Sequence, residues 1–226
     1  MYIHIEVPDI DEHPKGFPQF WLRRVFINSI STNYQVNALA TTYVRLVEAA
    51  LTEYRLGQAM LKEFWGTHTS LNLGAMHRSI SHFENCLFDM NRAINCFTRL
   101  RRHKDLPVSL QQALNEERPR FVAAAASDQI RDMRNAIHHL EERVMDGSIE
   151  AQETFTLKPD GPETPHATEA NQTDKTIDRL IIGKQEIMFS DLAAWLAEMG
   201  RFAEKLASYE AARDPLGPLE QPDDAA

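Results

Sequence analysis

Between Ile130 and Glu142 the chain carries Arg131, Arg134, Asn135, His138 and His139 on a stretch whose apolar residues recur at helical spacing. Arginine is a permanent cation whose planar donor fork matches phosphate oxygens. Histidine, with an unperturbed pKa of about 6.5, trades protons near neutrality. These groups suffice for breaking a phosphodiester without a metal. One histidine removes a proton from a hydroxyl nucleophile, while arginine stabilises the charge that gathers on the phosphate.

At about 100° per residue, Ile130, Met133, Ile137, Leu140 and Val144 share one face of a helix, and that face is expected to be core. Arg134 falls at its edge, with Arg131 and His138 on the same flank; Asn135 and His139 lie further round. Two pairings are open. Arg131 and His138 are seven residues apart and co-facial, whereas Arg134 and His139 are five apart. The bland alternative is a solvated helix surface, with arginines paired to Asp132, Glu141 or Glu142.

The run Arg134-Asn135-Ala136-Ile137-His138-His139 resembles the Arg-Asn-x-x-x-His signature of the HEPN (higher eukaryotes and prokaryotes nucleotide-binding) superfamily. The resemblance implies an α-helical bundle with the motif on a late helix and, in many members, metal-independent endoribonuclease activity. Residue by residue, the family's arginine falls on Arg134, its following polar residue on Asn135 and its histidine on His139. The family tolerates longer spacings, so Arg131 with His138 is a second register. The resemblance implies attack of an RNA 2′-hydroxyl on the adjacent phosphate, leaving 2′,3′-cyclic phosphate and 5′-hydroxyl ends. It also implies a homodimer that gathers two Arg–His sets in one cleft, and an antitoxin or other protein partner in a toxin–antitoxin or phage-defence setting. Toxin members often place a tyrosine two residues after the histidine; here that position is Glu141, so regulation through a modified tyrosine is not expected. The different-class reading is a catalytically inactive HEPN-like module that binds nucleotide, RNA or a protein partner.

On the next long helical segment upstream, His82, Asn85, Asp89 and Arg92 form one stripe and are expected to support substrate near the motif, with Glu84 a further polar candidate. Arg92, Arg99, Arg101, Arg102, His103 and Lys104 make a basic stretch against a formal net charge of −9, which argues against a general nucleic-acid coat but leaves room for a local cationic surface. No Cys-x-x-Cys, His-Glu-x-x-His or phosphate-binding glycine loop occurs, and no metal or cofactor is expected. Cys86 and Cys96, the only two cysteines, lie about 15 Å apart along one helix, too far for a disulfide.

These residues need a scaffold. Apolar periodicity predicts helices over about 37–65, 71–102, 109–117 and 120–145, with Ser70 capping the second and Pro119 opening the fourth. Residues 2–7 alternate like a strand, as do 153–157, while 159–173 reads as loop. Two strands over 178–189 flank Gly183-Lys184 as a hairpin, and Ser190 caps a last amphipathic helix to about 212. The expectation is a mainly α protein, an antiparallel helical bundle with a small β-hairpin insertion before the last helix. Its parts are an N-terminal arm over 1–34, carrying Phe17, Phe20, Trp21 and Phe26, a bundle over 35–212 with the β insertion at about 150–189, and a disordered tail over 213–226. No apolar run nears the roughly 20 residues that span a bilayer, and Met1 to Glu6 lacks the features of a secretory signal, so a cytoplasmic protein without membrane contact is expected.

Overall fold

Two long antiparallel helices dominate the computed structural model, which describes residues 1–10, 17–26, 30–66, 72–148 and 156–209. These are α2 (Tyr34–Gly66) and α3 (Leu73–Leu100). Each presents a continuous buried stripe, including Tyr43, Val47, Tyr54 and Leu61 on α2 and Phe83, Leu87, Met90 and Phe97 on α3. Their backbones approach closely at Gly57, whose carbonyl accepts the Ser79 hydroxyl at 2.7 Å. Around this pair lie β1 (Tyr2–Ile5), α1 (Phe17–Phe26), α4 (Val108–Asn115), α5 (Ala124–His138), α6 (Leu140–Met145) and α7 (Phe189–Ser208). Phe17 and Phe20 of α1 are buried, and the Trp21 indole donates to Glu48 at 2.8 Å.

Five strands fill the segment before the last helix: β2 (Lys158–Asp160), β3 (Glu163–Pro165), β4 (Thr173–Ile177), β5 (Arg179–Ile182) and β6 (Gln185–Met188). Together with β1 they build two three-stranded sheets, β1-β4-β3 and β2-β5-β6. The expected hairpin is present, with Gly183 at φ 56° in its turn. The surroundings differ from the expected loop. Pro159 is buried within β2, Pro165 ends the edge strand β3, and β1 arrives from the far end of the sequence to pair in parallel with β4. Proline is compatible with short edge strands because it asks for no ladder hydrogen bond.

Asp160 ties the insertion together. Its carboxylate takes Lys158 at 2.7 Å, Lys175 at 2.5 Å and the Gly161 amide at 2.9 Å. Burial alone pushes this carboxyl up, but the hydrogen bonds outweigh it and hold the pKa at about 2. An unfolded aspartate titrates at about 3.9. The group therefore adds stability above about pH 4 that is lost as pH falls through about 2. Asp160→Asn is expected to flatten acid unfolding in that window, followed by circular dichroism; an unchanged acid limb would contradict the assignment.

The expected continuous helix over 120–145 is instead three pieces. Residues Arg120–Val122 form a 3-10 turn, Ala123 is extended at ψ 144°, and α5 then runs to a bend at His139 before α6. Pro119 precedes the turn rather than opening an α-helix. The apolar face ends with the bend: Ile130 and Met133 are fully buried and Ile137 packs against the core, whereas Val144 is 56% exposed. Val144 is thus not a core residue, and α6 buries no side chain. Helix α3 is capped by Asn72, whose side chain accepts from the Ala75 amide, while Ser70 lies outside the described residues. Helix α7 begins at Phe189 without the expected Ser190 cap. The strand expected at 153–157 and the C-terminal tail lie largely or wholly outside the described residues.

Candidate functional site

Helix α5 is seated at its start by Phe121, fully buried against Phe97 at 5.2 Å and Phe202 at 5.9 Å between ring centroids. The Phe121 amide donates to the buried Glu198 carboxylate at 3.2 Å. One face of α5 packs on α3, and another lies against the β5–β6 hairpin, where the Gln129 amide donates to the Glu186 carbonyl at 2.6 Å. Rigid elements on two sides fix the direction in which the motif side chains leave the helix.

Arg134 is half-buried. Its guanidinium lies 5.7 Å from the Phe88 ring centroid, within cation–π range, and Nη1 donates to Asn135 Oδ1 at 2.8 Å. That bond draws the cation towards the flank of Asn135, which His139 shares one turn later. The Asn135 amide nitrogen keeps its hydrogens for another acceptor. His139 sits at the bend with φ −96° and ψ 14°, closing α5 through its amide to the Asn135 carbonyl at 2.9 Å. Its Nδ1 lies 2.8 Å from Glu142 Oε2. An ionised carboxylate only accepts, so Nδ1 carries the hydrogen, and in the neutral ring Nε2 keeps its lone pair for a substrate proton. His138, also exposed, brings its ring to 5.0 Å from that of His139 at 73°.

Arg131 is turned elsewhere. It is exposed and pairs with Asp128 at 2.8 Å and Asp132 at 3.3 Å. Its charge is answered within its own helix, while side-chain contacts link Arg134 with Asn135 and His138 with His139.

Of the supporting candidates on α3, His82 and Asp89 are on the other flank. His82 Nδ1 meets Glu53 of α2 at 2.7 Å, and Asp89 pairs with Arg92 at 3.7 Å. Phe88, the residue beneath Arg134, is about 100–120° round the helix from His82 and Asp89. His82 and Asp89 therefore do not join the motif residues. Arg92, one turn past Phe88, is exposed on the ridge between the two flanks and is drawn to Asp89 rather than into the motif. Glu84 does fall on the motif flank, one turn before Phe88, and its half-buried carboxyl is pushed up by burial. Sequence reasoning missed Phe88 and gave Glu142 only a surface ion pair. The signals were an aromatic off the core stripe at 88 and a carboxylate three residues after a histidine.

Among the described residues, no group of three or more histidine, cysteine, aspartate or glutamate side chains is placed to hold a metal ion. No helix in the described residues is long and apolar enough to cross a membrane. No protein-family model, curated protein or solved structure matches this chain.

Proposed function

We propose that this protein is a metal-independent endoribonuclease of the type its Arg-Asn-x-x-x-His run resembles. The observation that carries the reading is the pair of side-chain bonds around the bend: Arg134 to Asn135 at 2.8 Å and His139 to Glu142 at 2.8 Å. Together they offer a fixed cation, free amide donors and an imidazole Nε2 within two turns of one helix end. His139 takes the proton of an RNA 2′-hydroxyl, whose oxygen forms a bond to the adjacent phosphorus. Arg134 and the Asn135 amide stabilise the equatorial oxygens as charge builds. The bond to the 5′ oxygen breaks, and that oxygen is protonated by His138 or water. Glu142 holds the imidazole in one tautomer and orientation during the step.

The proposed assembly is a homodimer. Val144 and Met145, 56% and 86% exposed on the short helix that follows the histidines, offer an apolar surface for a second copy. The cytoplasmic toxin–antitoxin or phage-defence setting, with its protein partner, is proposed from the resemblance alone.

The test is incubation of an end-labelled structured RNA with the protein in EDTA, alongside DNA of the same sequence. Cleavage of RNA only, with 2′,3′-cyclic phosphate ends, is expected. Intact RNA after exposure to folded, dimeric protein would reject the reading.

A further inference from the structure

We infer that the outer face of the α2–α3 hairpin is a binding surface for RNA backbone phosphates, built by Arg45, Arg92 and Arg99. The ligand class rests on the ribonuclease reading, while the surface itself stands on its own geometry. Two bonds set the register of the antiparallel pair: Glu53 to His82 and the Gly57 carbonyl to Ser79. Counting eight residues back along α2 from Glu53 and eight forward along α3 from His82 puts Arg45 opposite about residue 90, beside Asp89 and Arg92. Arg99 follows Arg92 by two helical turns, about 10 Å along the same face. All three lie within electrostatic reach of one half-buried thiol, Cys96, on that face.

Arg45 and Arg99 are exposed and have no carboxylate in ion-pair range among the described residues. Arg92 has a 3.7 Å link to Asp89 but keeps 60% of its side chain exposed. Of the acids on this face, Glu53 is engaged with His82, and Asp89 meets Arg92 and also feels the charge of Arg45. In a chain of net charge −9, three neighbouring arginines that outnumber the Asp89 carboxylate between them form a local cationic patch. Arginine forks are suited to phosphate, and such contacts position a strand without reading its bases. Arg92 stands one turn from Phe88, the ring under Arg134, while Arg99 and Arg45 lie further out. The surface would therefore hold RNA flanking the cleaved bond rather than the bond itself.

The test uses a labelled single-stranded 2′-O-methyl RNA, which lacks the nucleophilic hydroxyl and stays intact. Fluorescence anisotropy is measured from low to high salt for wild type, Arg131→Gln and the triple variant Arg45→Gln/Arg92→Gln/Arg99→Gln. Each phosphate that is no longer neutralised lowers the slope of log affinity against log salt by about 0.7, so the triple variant should lose about 2 from the slope and bind at least about tenfold more weakly at low salt. Arg131→Gln, which removes a cation already paired to Asp128 and Asp132, should bind like wild type. An unchanged slope in a triple variant with wild-type thermal melting overturns the proposal, as does wild-type binding to phosphatidylserine vesicles but not to RNA. Loss of slope in the triple variant, with no cleavage by wild type on ordinary RNA, would sustain this surface and remove only the ribonuclease reading.

Discussion

Replacing His139 with alanine is expected to slow RNA cleavage by about 10²–10⁴-fold, the usual loss when a positioned general base is removed. His139 is exposed and its side chain bonds only Glu142 among the described residues, so its removal should leave the fold intact. Arg134→Ala should cost about 10²–10³-fold, as expected for a donor aimed at developing oxyanion charge. Arg134→Lys should recover part of this, because it keeps the charge but not the fork that reaches Asn135. Arg131→Ala is the internal control: its charge is held by Asp128 and Asp132, and the rate should stay near wild type. Single-turnover rates with thermal melting of each variant decide the matter. Should Arg131→Ala and His138→Ala carry the large losses while Arg134→Ala and His139→Ala do not, the chemistry belongs to the other register. The Arg134/His139 double variant should be little worse than the more damaging single, since groups acting in one step are non-additive.

The long helices were legible because their stripes are uninterrupted: Tyr43 to Leu61 and Phe83 to Leu100 repeat with the helical period and are buried as that period requires. The β5–β6 hairpin was legible from Gly183 between two short apolar runs. Wheel arithmetic failed at His139 because it assumes one phase throughout. Leu140 and Val144 continue the spacing of Ile130 and Met133, yet the backbone bends before them and no element among the described residues covers Val144. Pairing of β1 with β4 was illegible for another reason. Its partners are about 170 residues apart, and local alternation says nothing of which strand a strand will meet. At the site, residue types could be read from the motif, but not their bonds. Which arginine is neutralised by its own helix, and which rests on an aromatic ring, depends on the neighbour that α3 supplies. The His82 stripe shows the same limit: co-linear spacing grouped its members on one side of α3 but could not say that α2, rather than α5, lies across from His82.

Phe97→Ala is expected to destabilise the protein by about 3–5 kcal/mol, a large part of the roughly 5–15 kcal/mol typical of a folded domain. The ring is fully buried and meets Tyr43 at 5.3 Å, Phe121 at 5.2 Å and Phe202 at 5.0 Å, from α2, the turn before α5, and α7. A cavity there has rigid aromatic walls on three sides, with the Tyr43 hydroxyl pinned to the Met199 carbonyl at 3.0 Å, so collapse around the truncated residue is restricted. Urea denaturation should show a lower midpoint at unchanged slope. Thr98→Ala, one residue along at a half-buried position, should cost far less; equal losses at the two positions would refute the three-ring node as the centre of the core. The Phe97 variant also separates packing from chemistry. Arg134 is held by Phe88 and Asn135, more than two turns beyond Phe121. Cleavage per folded molecule should therefore fall much less than the folded fraction does on warming. A parallel collapse of both would mean that the aromatic node sets the position of the motif helix as well as its stability.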